Sequence, residues 1–240
     1  MMVQVLGDPA DLPLGCHALS FHSSAFEAED HAMRFISGSP PGIPAVYFVP
    51  DEATSGRYNE HLSDVAPEHV GCVMALGHEQ VESVGGVLRP AREVRAFFET
   101  HQDGVTAGGD TMSMYLEPET VPAHLEYECW FDDQPRNGSR FICPYDLRRV
   151  PVDQAAEMLH ELGQHHSHVV LSSSAEPAVR LLQLFIFGSR AEVPSEFREQ
   201  VQWADDQHLI EEAESEETLR LTPEGRDIVS EWSGRTTVDW

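Results

Sequence analysis

The sequence contains no lysine; all 15 of its basic side chains are arginine. Against them stand 41 Asp and Glu residues, for a formal charge of −26. At low ionic strength so many like charges repel one another and destabilise a compact state. At ~1 M salt the Debye length falls to about 3 Å and most of that repulsion is screened. A lysine-free acidic surface therefore reads as halophilic, suited to a cytoplasm of molar salt. Long apolar runs are also missing: no stretch approaches the ~20 residues that span a bilayer. The opening Met-Met-Val-Gln-Val-Leu-Gly-Asp has no basic segment followed by an apolar one, so a cytoplasmic location without membrane contact is expected.

Cysteine is scarce. Cys16, Cys72, Cys129 and Cys143 lie far apart with no Cys-x-x-Cys pair. Reduced thiols are expected, with neither a disulfide framework nor a cysteine-built zinc site. The loop Phe21-His22-Ser23-Ser24-Ala25-Phe26-Glu27 lacks the Gly and Lys of a phosphate-binding loop and carries an acid instead. That excludes nucleotide hydrolysis of the usual kind. His160 and His165 miss the His-Glu-x-x-His pattern by one residue, and at i and i+5 their imidazoles diverge on a helix. They read as helix-end residues together with His166 and His168. No metal and no cofactor are expected.

What is present is apolar content, 41% of the chain, in alternating helical and strand patterns. Strands are predicted at Leu14–His22, Ile43–Val49, Val70–Leu76, Gly104–Gly109, Phe141–Cys143 and Val169–Leu171. The fourth of these, Gly104–Gly109, ends in a Gly-Gly turn by this reading. Between them, helices are predicted after Ser24 (with Glu27 in a capping box), through Leu62 and Val65, from Pro90, across about Thr120–Phe131, and through Val152–Leu162. Such alternation implies an α/β fold with a mostly parallel sheet covered on both faces, and ligands outside the carboxyl ends of the strands. After Ser172-Ser173-Ser174 the order becomes helix (Ala178–Phe187), helix (Glu196–Asp206), hairpin (Leu209–Leu221) and a helix opened by Thr222-Pro223. That is a reduced winged-helix outline, so two domains are expected, residues 1–173 and 174–240.

Three short motifs carry a family resemblance. Cys16-His17-Ala18-Leu19-Ser20-Phe21 is similar to the opening His-x-x-x-Phe of the MEDS domain, the sensory domain of regulators typified by the dichloromethane-responsive repressor. Leu125-Glu126-Tyr127-Glu128 resembles its helical Tyr-Glu signature, and Cys143-Pro144-Tyr145-Asp146 its Cys-x-Tyr-Asp strand ending. The resemblance covers roughly residues 14–172. It implies a RecA-like fold, related to circadian-clock ATPases but without their phosphate loop, that senses small molecules. By this carry-over His17, Asp110, Glu128, Tyr145 and Asp146 are ligand-binding candidates, and His22 is a sixth, standing where the family often has an aromatic residue. For each, the alternative is a structural role: a satisfied core histidine, a turn anchor, a cap. Cys143 has no activating neighbour in the sequence and reads as a packed strand residue. The tail from Leu209 to Arg226 resembles the wing and final helix of haloarchaeal winged-helix regulators, but its recognition segment carries few cations.

The expected protein is thus a non-enzymatic sensory or regulatory protein, its partner an unknown small molecule or signalling protein. The tail would serve in transcriptional regulation, through DNA or through another protein, and the chain could form a homo-oligomer. The alternatives are a divergent nucleotide-binding ATPase relative and a ligand-free interaction scaffold. The charge imbalance makes the first prediction. The thermal unfolding midpoint, followed by circular dichroism, should rise steadily from ~0.1 M to ~3 M KCl as screening grows; a midpoint independent of salt contradicts the halophilic reading.

Overall fold

In the computed structural model the described residues are 3–76, 81–84, 87–90, 92–101, 103–109, 122, 125–128, 138–212 and 218–234. They form an α/β fold around one parallel sheet. Its strands are β1 (Gln4–Leu6), β2 (Cys16–His22), β3 (Ala45–Val49), β4 (Val73–Ala75), β7 (Thr106–Gly109), β8 (Arg140–Asp146) and β9 (His168–Val170). Strands β5 (Val81–Val84) and β6 (Val87–Pro90) form a separate antiparallel hairpin. The seven sheet strands stand in the order β1-β9-β2-β8-β7-β3-β4, and every pair is parallel. No helix among the described residues is long and apolar enough to cross a membrane.

The longest ladder joins β2 to β8 over seven residue pairs, from Cys16↔Arg140 to His22↔Asp146. Side chains alternate across a strand, so His17, Leu19 and Phe21 share one face with Phe141, Cys143 and Tyr145. Ala18, Ser20 and His22 take the other face with Ile142 and Asp146. Helices α1 (Ala25–Ser37) and α2 (Glu52–Val65) cover the second face, where Phe35, Ile36, Tyr58 and Leu62 pack on Ala18, Tyr47 and Ile142. The first face is covered by α3 (Arg92–Thr100), whose Val94 meets Val46 and Phe141. Beside it lies α4 (Ala155–His165), whose Met158, Leu159 and Leu162 meet Leu19 and Phe21.

Differences from the sequence reading are local. Gly108 and Gly109 form no turn; they are the last residues of β7, and a Cβ on Gly108 would stand 2.6 Å from Ile142 Cγ2 and 2.9 Å from the Tyr47 ring. Close packing, not chain reversal, requires glycine there. Pro90 closes β6 instead of opening α3. Short β1 and the β5–β6 hairpin carry too few residues for a period to stand out. Asp110, most of the 120–131 helix and the hairpin tip at 213–217 lie outside the described residues.

The tail continues through α5 (Pro177–Leu184), a 3-10 turn (Phe185–Phe187), α6 (Arg198–Asp206), the antiparallel pair β10 (Ile210–Glu212) and β11 (Leu219–Leu221), and α7 (Pro223–Gly234). Thr222 caps α7 as its type suggests, its Oγ1 accepting from Gly225 N at 3.1 Å. One apolar cluster runs from Leu19, Phe21, Cys143 and Tyr145 through α4 to Leu182, Ile186, Leu219, Leu221 and Val229. Residues on both sides of Ser172-Ser173-Ser174 therefore share a core.

A buried cation ties the amino end of the sheet together. Arg140, 2% exposed, donates from Nη1 to Ala10 O (2.9 Å) and Leu12 O (3.1 Å) and from Nη2 to Phe35 O (2.7 Å). Its guanidinium stacks 4.8 Å from the Phe35 ring centroid. Desolvation pushes its pKa down to about 10, so it remains a cation at neutral pH. Phe35 lies in the last turn of α1, where unpaired carbonyls favour positive charge. Arg140→Met keeps the stem but strands these buried carbonyls, which should cost about 3 kcal/mol. Denaturant unfolding in high salt should show a lower midpoint at unchanged slope; an unshifted midpoint counts against this role.

Candidate functional site

Two groups of polar side chains lie against the sheet. The first stands at the carboxyl ends of β2 and β8, where connections depart in opposite directions and ligands of open α/β sheets usually bind. Asp146 is fully engaged: Oδ1 accepts from Arg148 N (3.0 Å) and Nε (2.8 Å), and Oδ2 accepts from Nη2 at 2.6 Å. It anchors the turn at Leu147–Arg149. His22, beside it in register, is 3% exposed, and its Nδ1 finds no hydrogen-bond partner among the described residues. Desolvation by burial lowers its pKa to about 4, although Asp146 pulls the other way.

Next to them Glu27 stands in the first turn of α1, just after β2. Ser24 Oγ accepts from Glu27 N at 3.2 Å, the first half of the expected capping box. The Glu27 carboxylate, however, does not turn back to Ser24. It accepts from Ser23 N (2.8 Å) and Ser173 N (2.6 Å), and from the hydroxyls of Ser23, Ser172 and Ser173. Burial alone would raise its pKa, but the hydrogen bonds from Ser172, Ser23 and Ser173 outweigh that and hold it below the usual carboxylate range. Backbone N–H groups at a strand-to-helix turn are what an anion would use; here an internal carboxylate uses them.

The second group lies beneath the sheet. His17 and Cys143 are diagonal neighbours on one face of the β2–β8 ladder, and Tyr145 follows Cys143 on that face. Glu128 enters from the helical turn at residues 125–128, and His166 from the end of α4. All are buried: His17, Glu128 and Tyr145 are 0% exposed, His166 1% and Cys143 7%. His17 Nε2 lies 3.1 Å from Cys143 Sγ and 3.6 Å from Glu128 Oε2. His166 Nε2 lies 3.5 Å from the same carboxylate oxygen, and the two imidazole centroids are 3.9 Å apart. One ligand-type atom from each of His17, Glu128, Cys143 and His166 falls within 4.8 Å of the others.

Two further bonds orient this centre. His166 Nδ1 is 2.7 Å from Leu162 O; a carbonyl only accepts, so Nδ1 carries the proton and, in the neutral ring, Nε2 presents its lone pair to the centre. The Tyr145 hydroxyl donates to Glu128 Oε1. Burial, and then the Glu128 charge, raise the tyrosine pKa well above its usual value, so it stays a donor. The arrangement offers a thiol beside an imidazole, and a donor set of two nitrogens, one sulfur and one carboxylate that could hold a metal ion.

Of the six residues singled out from the sequence, His17, Glu128 and Tyr145 come together beneath the sheet, His22 and Asp146 stand at its carboxyl edge, and Asp110 is outside the described residues. Cys143 has an imidazole neighbour, His17, which no local pattern could reveal across 126 residues. His166 reads from the sequence only as one of the helix-end histidines. The usable signal was the period of two that places Cys143 on the face of Tyr145. No family model matches this chain, no curated protein is detectably similar, and no solved structure matches it.

His22 makes the prediction here. The unfolded side chain takes a proton near its ordinary pKa of 6.5, the folded one only near 4. Stability is therefore full above pH 6.5 and lost as pH falls towards 4, by about 3 kcal/mol for a shift of this size. His22→Phe should remove that step, so its disadvantage or advantage relative to wild type should shift in its favour between pH 7 and pH 4.5. Parallel pH–stability curves for the two proteins would disprove the assignment.

Proposed function

We propose that the chain is a non-enzymatic sensory protein in which the buried centre beneath the sheet receives a small ligand and the tail carries the output, in transcriptional regulation. The observation that carries this reading is the continuity between the two. His166 ends α4, which packs against the turn at Phe185–Phe187 and against β11, and α5 packs on α7. Gly163 of α4 lies against the Ile186 backbone, and Gly188 against the His160 ring, with no room for a Cβ at either. A change that moves His166 is thereby passed to the hairpin and final helix, because a close-packed interior transmits displacement. Counted among themselves in chain order, the strands β9-β2-β8-β7-β3 stand 5-1-4-3-2, which supports the RecA-like reading and, with His17, Glu128 and Tyr145 brought together, the MEDS resemblance.

The tail favours a protein partner over DNA as the output. Arg180 stacks on Trp203 at 4.5 Å, and Arg190 pairs with Asp205 and with Glu212 (3.2 Å). Cations so engaged are poorly placed to neutralise phosphates. The rival reading, a divergent nucleotide-handling ATPase relative, is weakened by Glu27, whose carboxylate takes the N–H groups a phosphate would need.

Thermal unfolding of the full chain in ~3 M KCl, against nucleotides and small metabolites with and without duplex DNA, tests the proposal, since whatever binds only the native state raises the midpoint. A ligand-specific rise that Tyr145→Phe abolishes is expected. Nucleotide-dependent phosphate release would overturn the reading in favour of the ATPase relative. No response to any small molecule would favour a scaffold.

A further inference from the structure

The four buried ligand groups have a more specific use. We propose that His17 Nε2, His166 Nε2, Cys143 Sγ and the Glu128 carboxylate bind one divalent transition-metal ion of the zinc class. The proposal rests on the sensory reading only for its consequence, that the ion is what the centre senses. The ion site itself stands on geometry.

Bonds of about 2.0–2.3 Å at tetrahedral angles place neighbouring ligand atoms about 3.3–3.8 Å apart. The separations His17–Cys143, His166–Glu128 and His17–Glu128 are 3.1, 3.5 and 3.6 Å. The three remaining pairs lie within 4.8 Å, so seating an ion requires shifts of about 1 Å at most, not a rearrangement. The donor set selects for softness: a thiolate and two imidazoles suit zinc-class ions, whereas magnesium and calcium prefer all-oxygen sites.

The surroundings match what metal ligands require. A ligating imidazole usually donates its other N–H to a carbonyl or carboxylate, and ligating carboxylates are themselves hydrogen-bonded. Leu162 O holds His166 Nδ1 in this way, and the Tyr145 hydroxyl holds Glu128 Oε1, leaving Oε2 towards both histidines. His166 Nε2, 1% exposed as a residue, has no hydrogen-bond partner among the described residues while aimed at this centre.

Charge supplies an independent argument. On binding, the Cys143 thiol proton leaves to solvent. One thiolate and one carboxylate then cancel the dication, and two neutral imidazoles complete the shell. A buried site of zero net charge avoids the desolvation penalty that either anion would carry alone. Four protein ligands leave no open position, which is the pattern of structural and sensing sites rather than hydrolytic ones.

The test uses the full-length protein, stripped with chelator in ~3 M KCl and titrated with Co²⁺ and Zn²⁺. One ion per chain is expected by elemental analysis. The cobalt form should show tetrahedral d–d bands and a thiolate-to-cobalt charge-transfer band, and Zn²⁺ should displace it. Cys143→Ser should lose the charge-transfer band, and Tyr145→Phe should weaken binding roughly tenfold or more. The triple variant Cys16→Ser/Cys72→Ser/Cys129→Ser, which leaves Cys143 as the only thiol, should keep the band, so the assignment survives a Cys143→Ser protein that fails to fold. No stoichiometric ion, a band surviving in folded Cys143→Ser, or a band lost in the folded triple variant would each overturn the site. Hydrogen exchange over residues 177–234 separates site from signal. An ion bound without change there would uphold the site and overturn its sensing role. No ion bound, alongside a midpoint shift from another small molecule, would overturn the site and uphold the sensor.

Discussion

The seven-pair parallel ladder between β2 and β8 is the constraint on which the other features depend. Its register puts His17, Cys143 and Tyr145 on one face and His22 and Asp146 at the carboxyl edge of the other. A slip of one residue would exchange the faces of an entire strand, sending imidazole and thiol among α1 and α2 and apolar side chains into the polar centre. Arg140 anchors one end of the ladder through the carbonyls of Ala10, Leu12 and Phe35, and Asp146 ends the other by capping the turn with Arg148. The first device works against slippage: the buried Arg140 cation loses its partners in other segments if the strand moves, whereas Asp146 and Arg148 move together.

The protein handles negative charge in two ways. On the surface, acidic side chains vastly outnumber basic ones and their repulsion is left to salt. In the interior, carboxylates are satisfied one by one. Glu27 is surrounded by serine hydroxyls and two backbone N–H groups, and Glu128 accepts from Tyr145 and faces two histidines. The interior solutions do not depend on ionic strength in the way the surface does, because buried pairs are screened far less than exposed ones. A chain with so acidic a composition can thus keep a salt-insensitive centre.

The first strand-to-helix turn and the end of α4 hold different chemistry. Backbone N–H groups at such a turn suit an anionic ligand; here the Glu27 carboxylate takes them from within the chain. The chemistry-bearing groups instead collect under the sheet, close to the helix that leads into the tail. In the proposed sensory role the amino-terminal half of the fold is scaffold, and the route from β2 and β8 through His166 and α4 to β11 is the path along which a change at the centre travels.

Periodicity alone was enough for the α/β class, the parallel sheet and most helices, because apolar spacing along a local segment reports which side of it is buried. The capping role of Ser24 and Thr222 was equally local and equally legible. The composition likewise dictated an acidic, lysine-free surface whatever the fold. Short β1, the β5–β6 hairpin and the strand character of Gly108-Gly109 escaped because a few residues carry no period, and because close approach of Ile142 and Tyr47 is a fact of neighbours remote in the chain. The candidate centre was half legible. His17, Glu128 and Tyr145 stood out by motif, whereas Cys143 and His166 acquire meaning only when strand pairing and the end of α4 bring them to one point. Local sequence specifies which face a side chain takes; only tertiary packing decides what it meets there.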